Sequence, residues 1–178
     1  MASSMPTPND ALAVDDFRGA IIARDGLANV VAGLRNQRKR IVTTNGVFDL
    51  LHVGHTRYLQ QARCFGDVLI VGVNSDDSAR RLNKGPNRPL IPDVERAEML
   101  VALRCVDFAT IFDEDDPRAL LNIIRPDVHV KGGDYTLDRI LEREVVERHG
   151  GRVIVGINVP NRSTTRIIRA MTTNEPVS

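Results

Sequence analysis

A chain of 178 residues, 42% hydrophobic and 26% charged, has the length and composition of one compact domain that buries roughly 70% of its extended surface, not of a disordered or fibrous chain. The 24 basic and 23 acidic residues leave a net charge of +1, and aromatic residues are only 4%. No broad basic field or stacking platform points to nucleic acid, so any anion site is local.

The start, MASSMPTPND, lacks the basic region and apolar core of a secretory signal. Residues 1–14 therefore read as a flexible leader, and the cytoplasm is the expected location. Apolar runs such as 68–71 fall far short of the ~20 residues that span a bilayer. An amphipathic segment at 15–36 follows, whose Val30, Val31 and Leu34 fit either a sheet face or a second subunit.

From residue 40 onward, strand-like and helix-like segments alternate, the signature of parallel strands joined by crossover helices. Strands are expected at 40–44 (RIVTT), 67–73 (DVLIVGV), 106–112 (VDFATIF), 127–131 (DVHVK) and 152–157 (RVIVGI). They are short, apolar and β-branched, as a sheet covered on both faces requires. Apolar residues at helical spacing mark helices at 55–65, 76–82, 94–103, 117–124, 138–149 and 164–171. Gly66 and the pair Gly150-Gly151 stand where a left-handed cap follows a helix, and Pro117 fits a first turn. The fold expected is a Rossmann-like, three-layer α/β domain over 15–171 with about five parallel strands, and a frayed tail at 172–178. The one long connection, 82–92 (LNKGPNRPLIP), is a candidate active-site lid. Cys64 and Cys105 lack metal-ligand spacing and read as ordinary buried thiols.

Open parallel sheets bind ligands beyond the carboxyl ends of their strands. After the first expected strand comes Asn45-Gly46-Val47-Phe48-Asp49-Leu50-Leu51-His52-Val53-Gly54-His55, a tight turn opening a helix. Two histidines separated by Val-Gly project from one turn, Gly54 lets a ligand approach, and the helix start adds N–H donors and positive potential. A phosphate there receives imidazole hydrogen bonds from His52 and His55 as charge builds on a nucleotide's α-phosphoryl group. The plainer alternative has one histidine capping the helix and the other packed in the core. A zinc site is not expected, since neither a cysteine cluster nor HExxH is present.

GVFDLLHVGH resembles the HxGH signature of cytidylyltransferase-like nucleotidyltransferases. With VNSD (73–76), NKGPNRP (83–89), VKGGDY (130–135) and RSTT (162–165), the resemblance over residues 38–171 is to the D-glycero-β-D-manno-heptose 1-phosphate adenylyltransferases, as a stand-alone enzyme without a fused sugar kinase. Residues 158–161 (NVPN) depart from the acidic residue and glycine that often precede STT in heptose relatives, which bears on acceptor selectivity.

The resemblance implies attack of a sugar-phosphate oxygen on the α-phosphorus of ATP, giving ADP-heptose and pyrophosphate, in a homodimer. Two repelling anions must then be positioned by converging cations. Lys84 and Lys131 are the expected phosphate contacts beside the catalytic pair His52 and His55. Nucleotide contacts are expected from Gly46, Val47, Phe48, Gly54, Asn74, Arg96, Gly132, Asp134, Arg162, Ser163, Thr164 and Thr165, the last three at a helix start suited to the β- and γ-phosphates. Asp49, Arg88 and Tyr135 are the expected acceptor contacts. Asp49 equally fits a turn stabiliser, and Asp76 fits a helix cap. Magnesium is expected to arrive with ATP, without a dedicated protein cage. AMP or CMP transfer to flavin mononucleotide or glycerol 3-phosphate is the neighbouring alternative, and a non-catalytic nucleotide-binding module the more distant one.

Overall fold

The computed structural model describes residues 19–83, 85, 87–132, 140–156 and 164–173. The expected leader 1–14 and residues 174–178 of the expected tail lie outside them. In chain order the elements are β1 (Ala20–Ile21), α1 (Leu27–Asn36), β2 (Ile41–Gly46), α2 (Val53–Arg63), β3 (Val68–Asn74), α3 (Asp76–Arg81), α4 (Asp93–Val101), β4 (Phe108–Phe112), α5 (Arg118–Ile124), β5 (Val128–Lys131), α6 (Arg143–Arg148), β6 (Arg152–Val155) and α7 (Thr164–Thr173).

All strand pairs are parallel, in the order β1-β4-β3-β2-β5-β6. The chain winds outward from β2 in both directions, so the topological switch lies between β2 and β5, and open α/β sheets bind ligands beyond the carboxyl ends at such a switch. Every residue of the central β3 is buried, which explains its unbroken apolar run. On one face α2 and α4 pack Leu59, Ala62, Ala97 and Leu100 against Val42, Leu69 and Val71. On the other, α1 and α5 pack Leu27, Val31, Leu120 and Ile124 against Ile41 and Ile70.

Among the described residues the sheet has six strands where about five are expected. The extra one, β1, lies inside the segment read as a single amphipathic stretch: Ala20 and Ile21 pair with Phe108 and Ala109 of β4. Two residues carry no periodicity, so only tertiary pairing reveals them. Val31 and Leu34 of α1 belong to the core, which settles their packing on the sheet side. The helix expected from 138 starts at Arg143, with Glu142 at its amino cap and Ile140 and Glu142 buried before it. Pro117 caps α5 instead of entering its first turn. Gly150 has the left-handed φ of 80°. Gly66 does not, and its need is space: a Cβ there would sit 2.7 Å from the Arg40 carbonyl oxygen. Cys64 is exposed, against expectation, because it sits at the end of α2 with its Sγ turned to the Gln60 carbonyl. Cys105 is half-buried, and burial raises its thiol pKa.

His129 of β5 is fully buried beneath the α1/α5 side of the sheet, beside Thr43, whose Oγ1 is 2.9 Å from its Nδ1. Its Nε2 has no hydrogen-bond partner among the described residues. Burial, then the Lys131 charge, pushes its pKa down to about 3. An unfolded histidine titrates near 6.5, so between these values the unfolded chain holds the extra proton. The contribution is complete above about pH 6.5 and is lost as pH falls toward 3. His129→Asn should flatten the stability-against-pH curve in that window by up to about 1.4 kcal/mol per pH unit. Urea titrations at several pH values measure this, and identical slopes in both proteins would refute it.

Candidate active site

The turn after β2 is built by residues whose backbone the core fixes. Phe48 adopts a positive φ of 52°, which swings the chain across the strand end. Its buried ring meets the edge of His55, with centroids 5.3 Å apart. His52 is the amino cap of α2, in extended conformation, and its Nδ1 accepts the Gly54 N–H at 3.1 Å. An accepting Nδ1 leaves the imidazole proton on Nε2, which is thereby a donor. The two rings stack with centroids 3.9 Å apart and 21° between planes. Both histidines are half-buried and both sit on the positive end of an 11-residue helix. The capping alternative is therefore real for His52, but capping uses only its Nδ1. Gly54 is buried with its N–H given to His52.

The lid is fastened to this turn by buried charges. Asp49, expected at the acceptor, has a fully buried side chain. Its carboxylate takes Arg88 Nε at 2.8 Å and the backbone N–H groups of Leu90 and Ile91 at 2.7 and 3.1 Å. Three donors in a dry environment leave it a lid anchor. Arg88, also expected at the acceptor, commits its Nε to that anchor. Arg96, expected near the nucleotide phosphates, has a side chain 0% exposed and every nitrogen engaged. Nε donates to the Ile91 carbonyl (2.8 Å), Nη1 to the Val47 carbonyl (2.5 Å) and Nη2 to Asp76 (2.7 Å). It braces turn, lid and α3. Asp76 accordingly pairs with Arg96, and Ser75 caps α3 by accepting the Ser78 N–H.

Across the switch, Lys131 ends β5 and Gly132 follows it. Lys131 Nζ lies 3.4 Å from Asn45 Oδ1 of β2 and forms an ion pair with Glu142. Gly132 is half-buried, and Tyr58 of α2 explains its identity: a Cβ would meet the ring at 3.1 Å, and one on Gly156 would meet it at 2.6 Å. The Tyr58 hydroxyl donates to the Val130 carbonyl at 2.7 Å and accepts from Thr44 Oγ1 at 2.5 Å. Burial raises the phenol's pKa. Thr164, at the start of α7, donates to the Leu50 carbonyl at 3.2 Å, which brings that helix start to the histidine turn, with Thr165 exposed beside it.

Gly46, Val47 and Phe48 thus form the floor of the turn. Asn74, expected at the nucleotide, is buried and its side chain donates to Ser78 Oγ at 2.9 Å beneath α3. Lys84, Asp134, Tyr135, Arg162 and Ser163 lie outside the described residues. The site brings together His52, His55, Gly54 and Thr164, with Lys131 across the β2/β5 switch. Sequence reasoning missed Tyr58 and Glu142. Tyr58 lies three residues after His55, a spacing that marks one helix face, but a lone aromatic there reads as core. A cavity of about 580 Å³ opens at the opposite, amino edge of the sheet, lined by Lys39, Asp67 and Asp107 among others, and holds none of these residues.

Tyr58→Phe removes the hydroxyl that ties α2 to β2 and β5, leaving a buried carbonyl and a threonine hydroxyl short of a partner. The expected loss is about 1–3 kcal/mol of unfolding free energy, read from urea denaturation. An unchanged midpoint would show that the two contacts contribute nothing net.

A parallel sheet wound outward from β2, with a histidine-capped helix start and a second helix start meeting at its carboxyl edge, defines a Rossmann-like nucleotidyltransferase domain. The chain belongs to the cytidylyltransferase-like family, whose model matches residues 43–178. It is 58% identical over 144 residues to the bifunctional protein HldE of Geobacter sulfurreducens, a match covering 81% of this chain and 29% of that protein. The HldE of Geotalea uraniireducens is 56% identical over 149 residues, covering 84% and 30%. The chain thus spans about 30% of the length of these curated relatives. Among solved structures, a lipopolysaccharide core biosynthesis protein from Thermoplasma volcanium superposes with a TM-score of 0.60 at 28% identity, over 68% of this chain and 98% of that one. Pantoate-beta-alanine ligase from Francisella tularensis shares the fold, with a TM-score of 0.54 at 15% identity, over 86% of this chain and 77% of that one.

Proposed function

We propose that this domain transfers AMP from ATP to D-glycero-β-D-manno-heptose 1-phosphate. An oxygen of the sugar phosphate forms a bond to the α-phosphorus, the bond from that phosphorus to the β-phosphate bridging oxygen breaks, and pyrophosphate leaves. The acceptor oxygen is already anionic, so the protein's task is positioning and charge stabilisation more than proton abstraction. The observation that supports the reading best is the stacked pair His52 and His55 at the positive start of α2, with His52 Nε2–H a fixed donor. Lys131 supplies a cation from the far side of the switch, and Thr164 with Thr165 supplies N–H donors at the start of α7. Lys84, Arg162 and Ser163 complete the phosphate contacts, and Asp134 and Tyr135 read base or sugar. The similarity to HldE proteins supports the heptose acceptor.

Magnesium belongs to this reaction as a counter-ion of the triphosphate. Among the described residues no group of three or more His, Cys, Asp or Glu side chains is arranged to hold a metal. Among the same residues no helix is long and apolar enough to cross a membrane. A cytoplasmic homodimer completes the proposal, and sedimentation of the purified chain tests the dimer.

Pyrophosphate release with ATP or CTP, against heptose 1-phosphate, glycerol 3-phosphate and flavin mononucleotide, tests the reaction. Turnover confined to ATP with the heptose phosphate is expected. Turnover only with another pair would replace the acceptor or the nucleotide, and none with any pair would leave a nucleotide-binding module.

A further inference from the structure

We infer that Glu142 is a positioning residue that holds the Lys131 ammonium at the sheet edge until a substrate phosphate takes it over; the inference rests on the reaction proposed above. Glu142 lies in none of the motifs that mark the family resemblance. It caps α6 without making a side-chain capping bond, so helix formation does not explain it. Its side chain is 6% exposed and that of Lys131 15%. Removing two such charges from water costs several kcal/mol per ion, and an apolar pair of similar volume is often as stable. The pair is therefore poorly explained as a device for stability.

Its placement points to function instead. Lys131 ends β5 and faces Asn45 near the end of β2, the two strands that flank the switch where an open α/β sheet binds its ligand. The surrounding group is two cations, Lys131 and Arg118, with three carboxylates, Asp116, Glu142 and Glu144. Arg118 holds the Asp116 carboxyl below its usual range, with a smaller contribution from Lys131, and Glu142 in turn acts on Arg118. Lys131 is thus charge-compensated inside the protein before any anion arrives. A lysine without that partner would swing on its flexible stem and bind any phosphate in the ground state. Held by Glu142, it occupies one direction, and a polyphosphate with greater charge competes for it. Interactions gained only as charge develops raise kcat, whereas uniform grip lowers KM alone.

The expectation is therefore a split in the kinetic constants. Glu142→Gln keeps the shape and removes the charge. It should lower kcat by about tenfold to a hundredfold, as for a small misplacement of a reacting group, while KM for ATP falls and inhibition by pyrophosphate tightens. Glu142→Asp should recover part of kcat. In a Lys131→Met background, Glu142→Gln should cost nothing further. Wild-type kcat and KM in Glu142→Gln, a raised KM with unchanged kcat, or an equal loss in the Lys131→Met background would each overturn the inference.

A second readout separates this result from failure of the reaction itself. Acetic anhydride labelling of the folded full chain, read at Lys131 by peptide mass spectrometry, should run several-fold faster in Glu142→Gln than in the wild type, with Mg-ATP protecting Lys131 in both. Equal labelling rates, or no protection by ATP, would overturn the inference. Wild-type chain that shows the labelling pattern without heptose 1-phosphate turnover would instead remove only the proposed acceptor.

Discussion

Alanine at His52 or His55 should lower kcat by about two to four orders of magnitude, the range for loss of a positioned acid-base group or a strong transition-state donor. The effect belongs in kcat, because the charge these rings meet grows as pyrophosphate departs. The two positions differ in what else they lose. His52→Ala also removes the amino cap of α2, since Nδ1 holds the Gly54 N–H; that adds about 0.5–2 kcal/mol of instability. His52→Asn restores a capping oxygen without an imidazole donor, so it should regain the stability and not the rate. His55→Ala loses the stack on His52 and the edge contact with Phe48, with no cap involved. Pre-steady-state pyrophosphate release at saturating ATP, beside thermal unfolding by circular dichroism, separates rate from stability. Near-normal turnover in both alanine variants would remove the histidines from the mechanism.

The part of this site written plainly in the sequence is the part held by local geometry. HVGH announces itself because two imidazoles, a glycine and a helix start occur within four residues, and the strands announce themselves because a doubly covered sheet demands β-branched apolar runs. What escapes is set by tertiary closure. β1 is two residues long and exists only through β4. Asp49 and Arg96 have the chemistry of ligand contacts, and nothing local says that the lid folds back over them. Asn74 is legible as polar at a strand end, yet its amide is spent on Ser78. Lys131 is legible beside its glycine, whereas its partner Glu142 comes eleven residues later in sequence, at a distance no helix or strand period predicts.

Arg96 should carry the largest stability effect of any single site residue. Its guanidinium joins three segments, the histidine turn through Val47, the lid through Ile91 and the start of α3 through Asp76, beside the Asp49 contacts that also tie turn to lid. Methionine fills much of the same volume but leaves two carbonyls and a carboxylate without their donor. Breaking a buried charged contact by removing one partner costs about 3–5 kcal/mol, a large share of the roughly 5–15 kcal/mol that holds a domain together. Arg96→Lys should recover little, since one ammonium cannot span three acceptors aimed at a planar fork. Asp76→Asn combined with Arg96→Met should recover part of the loss, because the stranded carboxylate is the costliest orphan and its removal makes the pair non-additive. Asp76 retains 28% side-chain exposure, so water repays some of that cost and the recovery should be partial. Urea midpoints of the three variants measure this. If Arg96→Met lies within about 0.5 kcal/mol of the wild type, the range of an ordinary surface substitution, the brace contributes nothing net to holding turn and lid together.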